Sequence, residues 1–175
     1  GKEGGTGAAP AEFIDNLGMP LREALSLIHS SLAAAGLRDK LKIGAAGKIV
    51  TGYDMARTLA LGADWCNAAR AFMFSLGCVQ AQACHTGRCP TGVATQDLSR
   101  QRAIDVPNKA KRVENFHRGT VASLADLLAA AGYSHPSELS RRGFYRRAAD
   151  GHVISFADQY QFPNVQPMPL LRTAN

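Results

Sequence analysis

The stretch LKIGAAGKIVTGYDMARTLALGADWCNAARAFMF, residues 41–74, carries the alternation that decides the fold. LKIGAAG, 41–47, is short, apolar and ends in small residues, which predicts a buried strand feeding a glycine loop. TGYDMARTLALGAD then predicts a helix with Thr51 or Asp54 near its start and Gly62 at its stop. WCNAARAFMF, 65–74, reads as a second short buried strand running into a further helix. Strand, helix, strand and helix in succession are the signature of a parallel α/β architecture.

The pattern extends in both directions. From Met19 to Ala35, the positions Leu21, Ala24, Leu25, Ile28 and Leu32 follow helical spacing, with Pro20 suited to the first turn and Gly36 to the stop. Residues 108–131 place Val113, Phe116, Val121, Leu124, Leu127 and Leu128 on one side of a long helix that Gly132 ends. HPSELSRR, 135–142, predicts a short helix. The tail from Gly143, with Pro163, Pro167 and Pro169, has no sustained period and is expected to run irregularly over the surface. A closed eightfold α/β barrel needs about 250 residues. With two barrel-type strands, this chain is expected to supply only the last part of any barrel.

Composition bounds the rest. The chain has 175 residues, 46% hydrophobic and 19% charged, which is globular and sufficient for one core. Four cysteines, three of them in one loop, are not a disulfide scaffold and point to a reduced, cytoplasmic setting. No run of 18 apolar residues suggests a membrane span in this segment, and the opening GKEGGTGAAP is not a signal peptide. That opening has no initiator methionine, so a longer parent chain is expected. The net charge of +6 invites nucleic acid as a partner. However, Arg100, Arg102, Lys109, Lys111 and Arg112 are interleaved with Asp105 and Glu114, and only Arg141, Arg142, Arg146 and Arg147 cluster. A solvated basic surface, or a docking face for an acidic protein, fits better than a nucleic-acid stripe.

Three stretches bear on chemistry. GAAGKIVTG, 44–52, lies between strand and helix, where backbone N–H groups favour an anion; a tight turn is the rival reading. It is not a P-loop, because Ile49 follows the Gly-Lys pair. EGGTGAAP, 3–10, lets a flat ligand approach the backbone or serves as a flexible connection. LGCVQAQACHTGRCPTGVATQD, 76–97, sets Cys78, Cys84 and Cys89 apart by five and then four residues. Thiolates this close can converge on an iron–sulfur cluster, on zinc, or remain structural thiols. Zinc wants a fourth ligand: His85 is awkwardly adjacent to Cys84, and Cys66 reads as a core residue. Three ligands alone suit a cluster lacking one iron corner, or a fourth ligand elsewhere. Trp65, Phe72, Met73 and Phe74 are expected in the core, and His29, His117, His135 and His152 are assigned no role.

GGTGAAP at 4–10, GLRDKLKIGAAGKIVTGYDMARTLALGAD at 36–64 and the cysteine loop closely resemble the synthase domain of glutamate synthase, over about residues 1–140. CNAARAFMFSLGC and GKIVTG are more similar to the shorter FMN-binding glutamate synthase family proteins than to the large multidomain enzymes. The resemblance implies the C-terminal portion of an FMN-binding (β/α)8 TIM barrel over 1–140, with a C-terminal extension at 141–175. It implies a 3Fe–4S cluster on Cys78, Cys84 and Cys89. It also implies FMN phosphate contacts at Gly47, Lys48, Ala69 and Arg70, and a glycine loop near flavin and substrate at Gly4, Gly5, Thr6 and Gly7.

The implied reaction reduces 2-iminoglutarate, from 2-oxoglutarate and ammonia, to L-glutamate, with electrons from a reductase subunit or ferredoxin. Large members draw ammonia from glutamine through a glutaminase domain that nothing here resembles. A related flavoenzyme such as an N-methylglutamate synthase subunit, or a non-catalytic metal-binding module, are the alternatives. The large enzymes usually have Gly-Gly at Gly47-Lys48 and Gly-Thr at Ala69-Arg70, so two cationic side chains project here where none did. Both have the sign to contact a phosphate. The family's catalytic acid lies upstream of Gly1, so no catalytic residue is assigned.

Overall fold

The computed structural model describes residues 10–161. In chain order its elements are α1 (Ala11–Asn16), α2 (Leu21–Ala34), β1 (Gly44–Ala46), α3 (Gly52–Ala60), β2 (Trp65–Asn67), α4 (Arg70–Ser75), α5 (Leu98–Gln101), α6 (Val106–Ala130), β3 (Tyr145–Arg147), β4 (Val153–Ser155) and α7 (Phe156–Gln159). The expected α/β unit forms: β1 and β2 pair in parallel, Gly44 opposite Trp65 and Ala46 opposite Asn67, with α3 as the crossover.

Local chemistry fixes the ends of that unit. Thr51 caps α3, its hydroxyl accepting from Asp54 N–H at 3.1 Å, while the Asp54 carboxylate accepts in return from Thr51 N–H at 3.1 Å. Gly62 turns the chain out of the helix at φ +115, a conformation side chains resist. Asp64 then ties the two strands together where the chain runs into them. Its carboxylate accepts from Ile43 N–H at 2.7 Å and from Arg38 at 2.9 Å, and its own N–H donates to Ile43 O at 2.8 Å.

Helices cover one face of the sheet. Ala45 is buried beneath them in a core with Leu25, Leu61 and Ala63, whereas Gly44, Ala46, Trp65 and Asn67 on the other face are exposed. Trp65 is therefore not the core residue expected: it is 48% exposed, and a Cβ added to Gly44 would lie 2.5 Å from its indole. On α2, Leu25 and Ser26 turn inward while Ile28 is 50% exposed, so the buried stripe is narrower than its spacing suggested. The long helix α6 buries Leu124 and Leu128 against Ala56 of α3, with Val121 and Leu127 left at the seam's exposed margins. The two helices meet closely at Gly52, where a Cβ would lie 2.7 Å from the Leu124 backbone nitrogen.

The segment after Gly143 corrects the expectation of an irregular surface tail, as far as residue 161. HPSELSRR forms two 3₁₀ turns, Pro136–Glu138 and Arg141–Gly143; β3 and β4 then make an antiparallel hairpin, and α7 follows. Phe156 and Tyr160 are 2% and 3% exposed, in the same core as Leu25 and Ala45. The Phe156 ring stacks on Phe144 at 5.8 Å and meets Tyr160 edge-on at 5.5 Å. Arg141 locks the arrangement by donating to the carbonyls of Tyr160, Ser26 and Leu61 at 3.1, 3.4 and 3.4 Å. Pro163, Pro167 and Pro169 lie outside the described residues. Among the described residues, no helix is long and apolar enough to cross a membrane.

Two outcomes are expected. Phe156→Ala should lower unfolding free energy in urea by about 3–5 kcal/mol, the cost of emptying a core aromatic site, whereas a surface tail would show a change within about 0.5 kcal/mol. Burial works to raise the Asp64 carboxyl, but the Ile43 N–H, Arg38 and Lys42 outweigh it and hold the group below its ordinary value. Its contribution is thus fully present above the unfolded carboxyl pKa of about 3.9 and is lost as pH falls through the lower folded value. Asp64→Asn should flatten the acid limb of urea midpoints measured from pH 5 to pH 2.

Candidate cofactor-binding site

Because β1 and β2 run parallel, the loops that leave them open on the same edge, one at Gly47 and the other at Ala68. Carboxyl edges of parallel strands are where α/β folds bind ligands. The first loop is tightly bent: Lys48 adopts φ +47, which explains why a glycine suits that position. Gly47 lies against α2, and a Cβ there would come within 2.9 Å of Leu21 Cδ2.

Behind this turn is a cavity of about 250 Å³ lined by Leu21, Arg22, Gly47, Lys48, Asp54, Arg57 and Thr58. Arg57 donates to Asp54 Oδ1 at 2.8 Å, and its Nε is buried with no hydrogen-bond partner among the described residues. Burial, followed by repulsion from Arg22, lowers the Arg57 guanidinium from its ordinary value, yet it stays a cation. Burial acts to raise Asp54, but the Thr51 N–H and hydroxyl, the Val50 N–H and Arg57 outweigh it and keep the carboxylate ionised. Three basic side chains against one carboxylate, with a buried N–H to spare, suit an anion such as a phosphate. Arg22 and Arg57 were not legible as site residues, because they sit on two different helices and carry no motif.

Ala69 and Arg70 open α4 at the end of the second loop and do not line this cavity. The two loops instead share a more apolar cavity of about 310 Å³, where Ile49 and Val50 face Cys66, Ala68, Phe72 and Phe116. Burial pushes the Cys66 thiol up to about 11, so it stays protonated at neutral pH. Gly4, Gly5, Thr6 and Gly7 lie outside the described residues.

The cysteine loop follows α4. It is strongly kinked, with Gly77, Gln80, Gln82, Gly87 and Gly92 all in the left-handed region, at φ between +54 and +100. Cys78 and Cys84 are half-buried and Cys89 is buried. Burial alone would raise the Cys89 thiol, but the Thr91 hydroxyl and the N–H groups of Ala94, Thr91 and Val93 hold it down to about 7. The Cys78 sulfur accepts from Gln80 N–H at 3.5 Å. Among the described residues, no three His, Cys, Asp or Glu side chains stand together as a metal-holding group, these thiols included. The donor set itself suits a soft centre: three thiols on one loop, one of them in a collar of N–H donors that stabilises its anion.

Comparison with known proteins finds similarity over most of the chain. The model for the conserved region in glutamate synthase matches residues 1–134. The glutamate synthase large subunit-like protein YerD of Bacillus subtilis is 44% identical over 155 residues, 89% of this chain and 30% of that protein. The archaeal glutamate synthase (NADPH) of Methanocaldococcus jannaschii is 38% identical over 132 residues, 75% of this chain and 26% of its own length. Ferredoxin-dependent glutamate synthase 2 of Synechocystis is 37% identical over 134 residues, 76% of this chain and 8% of its own length. The chain thus spans less than a third of the length of these relatives.

The left-handed turn at Lys48 can be checked by substitution. Lys48→Val should lower the urea midpoint more than Lys48→Gly does, by about 1–2 kcal/mol in unfolding free energy, because a β-branched residue resists positive φ.

Proposed function

The chain belongs to the glutamate synthase family, and from that premise we propose that it closes an FMN-binding (β/α)8 barrel that makes L-glutamate from 2-oxoglutarate and ammonia. The observation that carries this reading is the basic cavity behind Gly47 and Lys48, on the edge where the loops of both parallel strands open. When bound, FMN and a 3Fe–4S cluster would supply the redox chemistry, taking single electrons from a reductase subunit or ferredoxin and delivering a pair to the imine carbon of 2-iminoglutarate.

The chain's own residues bind and orient. The turn at Gly47 and Lys48 offers backbone N–H groups to the FMN phosphate, with Ala69 and Arg70 on the neighbouring loop. Arg22 and Arg57 neutralise the phosphate charge, and Asp54, through its 2.8 Å bond, fixes the direction of the Arg57 guanidinium. Cys78, Cys84 and Cys89 would hold the cluster, and the N–H collar around Cys89 lowers its thiol to about 7, which favours the thiolate that a ligand needs. Cys66, protonated in its apolar cavity, stays outside the ligand set. The assignment of Gly4, Gly5, Thr6 and Gly7 to flavin and substrate rests on the family resemblance alone, since they lie outside the described residues. A reduced cytoplasm is the setting in which such thiols and such a cluster persist.

Metal and flavin content test the reading. The full-length protein, purified without oxygen, should hold about three irons with acid-labile sulfide and one flavin. Zinc without flavin would sink the redox reading and leave a structural metal module. Cys84→Ala should abolish the iron while Cys66→Ala retains it; equal loss in both variants would break the ligand assignment.

A further inference from the structure

A second, larger cavity than those of the loop edge lies at the opposite edge of the sheet, where the chain runs into β1 and β2. It has a volume of about 860 Å³, and its polar lining includes His29, Arg38, Lys42, Asp64, His135 and Arg141. We propose that this cavity binds a small, doubly charged oxyanion, either a phosphate monoester or a dicarboxylate.

The charge balance carries the proposal. Arg38 is committed to the fold, donating to Asp64 Oδ2, Gly62 O and Leu41 O at 2.9 Å each and to His29 Nδ1 at 3.1 Å. It pairs with Asp64, the one carboxylate among the described lining residues. Arg38, Lys42 and Arg141 thus face one carboxylate, an excess of two positive charges among the described lining residues. The Arg141 guanidinium is half-buried, and every acceptor it reaches is neutral: the carbonyls of Tyr160, Ser26 and Leu61, and Ser30 Oγ at 3.5 Å. Its charge is therefore satisfied in hydrogen bonds but not compensated, in a place where water screens weakly. Lys42 is largely exposed at the opening and shares Asp64 with Arg38, donating to Asp64 Oδ1 at 3.4 Å.

The neighbouring imidazole registers the same imbalance. Burial, then Arg141 and Arg38, hold His29 below its ordinary value, outweighing the opposite pulls of the Gly62 carbonyl and Asp64. Ser137 and Ser140 add hydroxyls to the wall, and the volume is within the range of small-molecule sites, about 300–1,000 Å³. An excess of two positive charges matches a dianion. The site stands apart from the Gly47 loop and does not depend on what binds there.

Trp65, the only tryptophan in the chain, lines this cavity and reports on it. The full-length protein is titrated with inorganic phosphate and with succinate, each against chloride at constant ionic strength, following the tryptophan emission that a Trp65→Phe variant lacks. A saturable change is expected with at least one dianion, and the tighter of the two names the source. Lys42→Ala should weaken it and Lys42→Glu should weaken it at least tenfold, while Lys48→Ala, at the other edge, leaves it unchanged. Several results would overturn the proposal: no saturable response to either anion, an equal response to chloride, an unaltered affinity in Lys42→Glu, or an equal loss in Lys48→Ala.

Discussion

The carboxylate of Asp64 is the constraint on which the rest of the molecule depends. It holds the segment before β1 to the segment before β2 through Ile43 N–H, while the reciprocal bond from its own N–H to Ile43 O closes a small ring. Strands of three residues have few ladder bonds with which to set register, so a side chain at their start does much of that work. With the starts aligned, the ends are aligned too, and the Gly47 and Ala68 loops emerge side by side. The same carboxylate pairs with both Arg38 and Lys42, and with Arg141 nearby the cavity at that end keeps an excess of positive charge.

Much of the central unit was legible in the sequence, because its signals are local. The apolar run at 41–47, the Thr51 and Asp54 pair and the stop at Gly62 each report on their own few residues, and the structure puts a strand, a cap and a turn there. What was hidden depends on neighbours far along the chain. Three-residue strands and a four-residue helix are too short to show a period, so the hairpin and α7 could not be read, and with them the burial of Phe156 and Tyr160. Arg22 and Arg57 meet the glycine turn only through folding. Ile28 kept helical spacing yet lies at the margin of its helix's buried stripe, which spacing alone cannot locate. The three cysteines were conspicuous by proximity, but the N–H collar that singles out Cys89 comes from the chain path after it.

The bare face of the sheet has a physical meaning of its own. Gly44, Ala46, Trp65 and Asn67 line it, and nothing described here packs over it, although the opposite face is sealed by helices. Two strands with one covered face are an incomplete sheet, with edges able to pair and apolar surface to bury. The relatives are more than three times as long as the matched segment, which leaves ample chain to complete such a sheet.

Arg141 joins the terminal segment to the body of the protein chiefly through carbonyl oxygens, with the Ser30 hydroxyl as a longer side-chain acceptor. A backbone carbonyl is the same atom whichever residue carries it, so this joint is blind to side-chain identity at Ser26, Leu61 and Tyr160. The family model ends at residue 134, before the joint, whereas the tail beyond it is seated in the core. A fastening of this kind places no demand on which residues carry the carbonyls, so the segment can drift in sequence wherever Arg141 and the core rings of Phe156 and Tyr160 are kept.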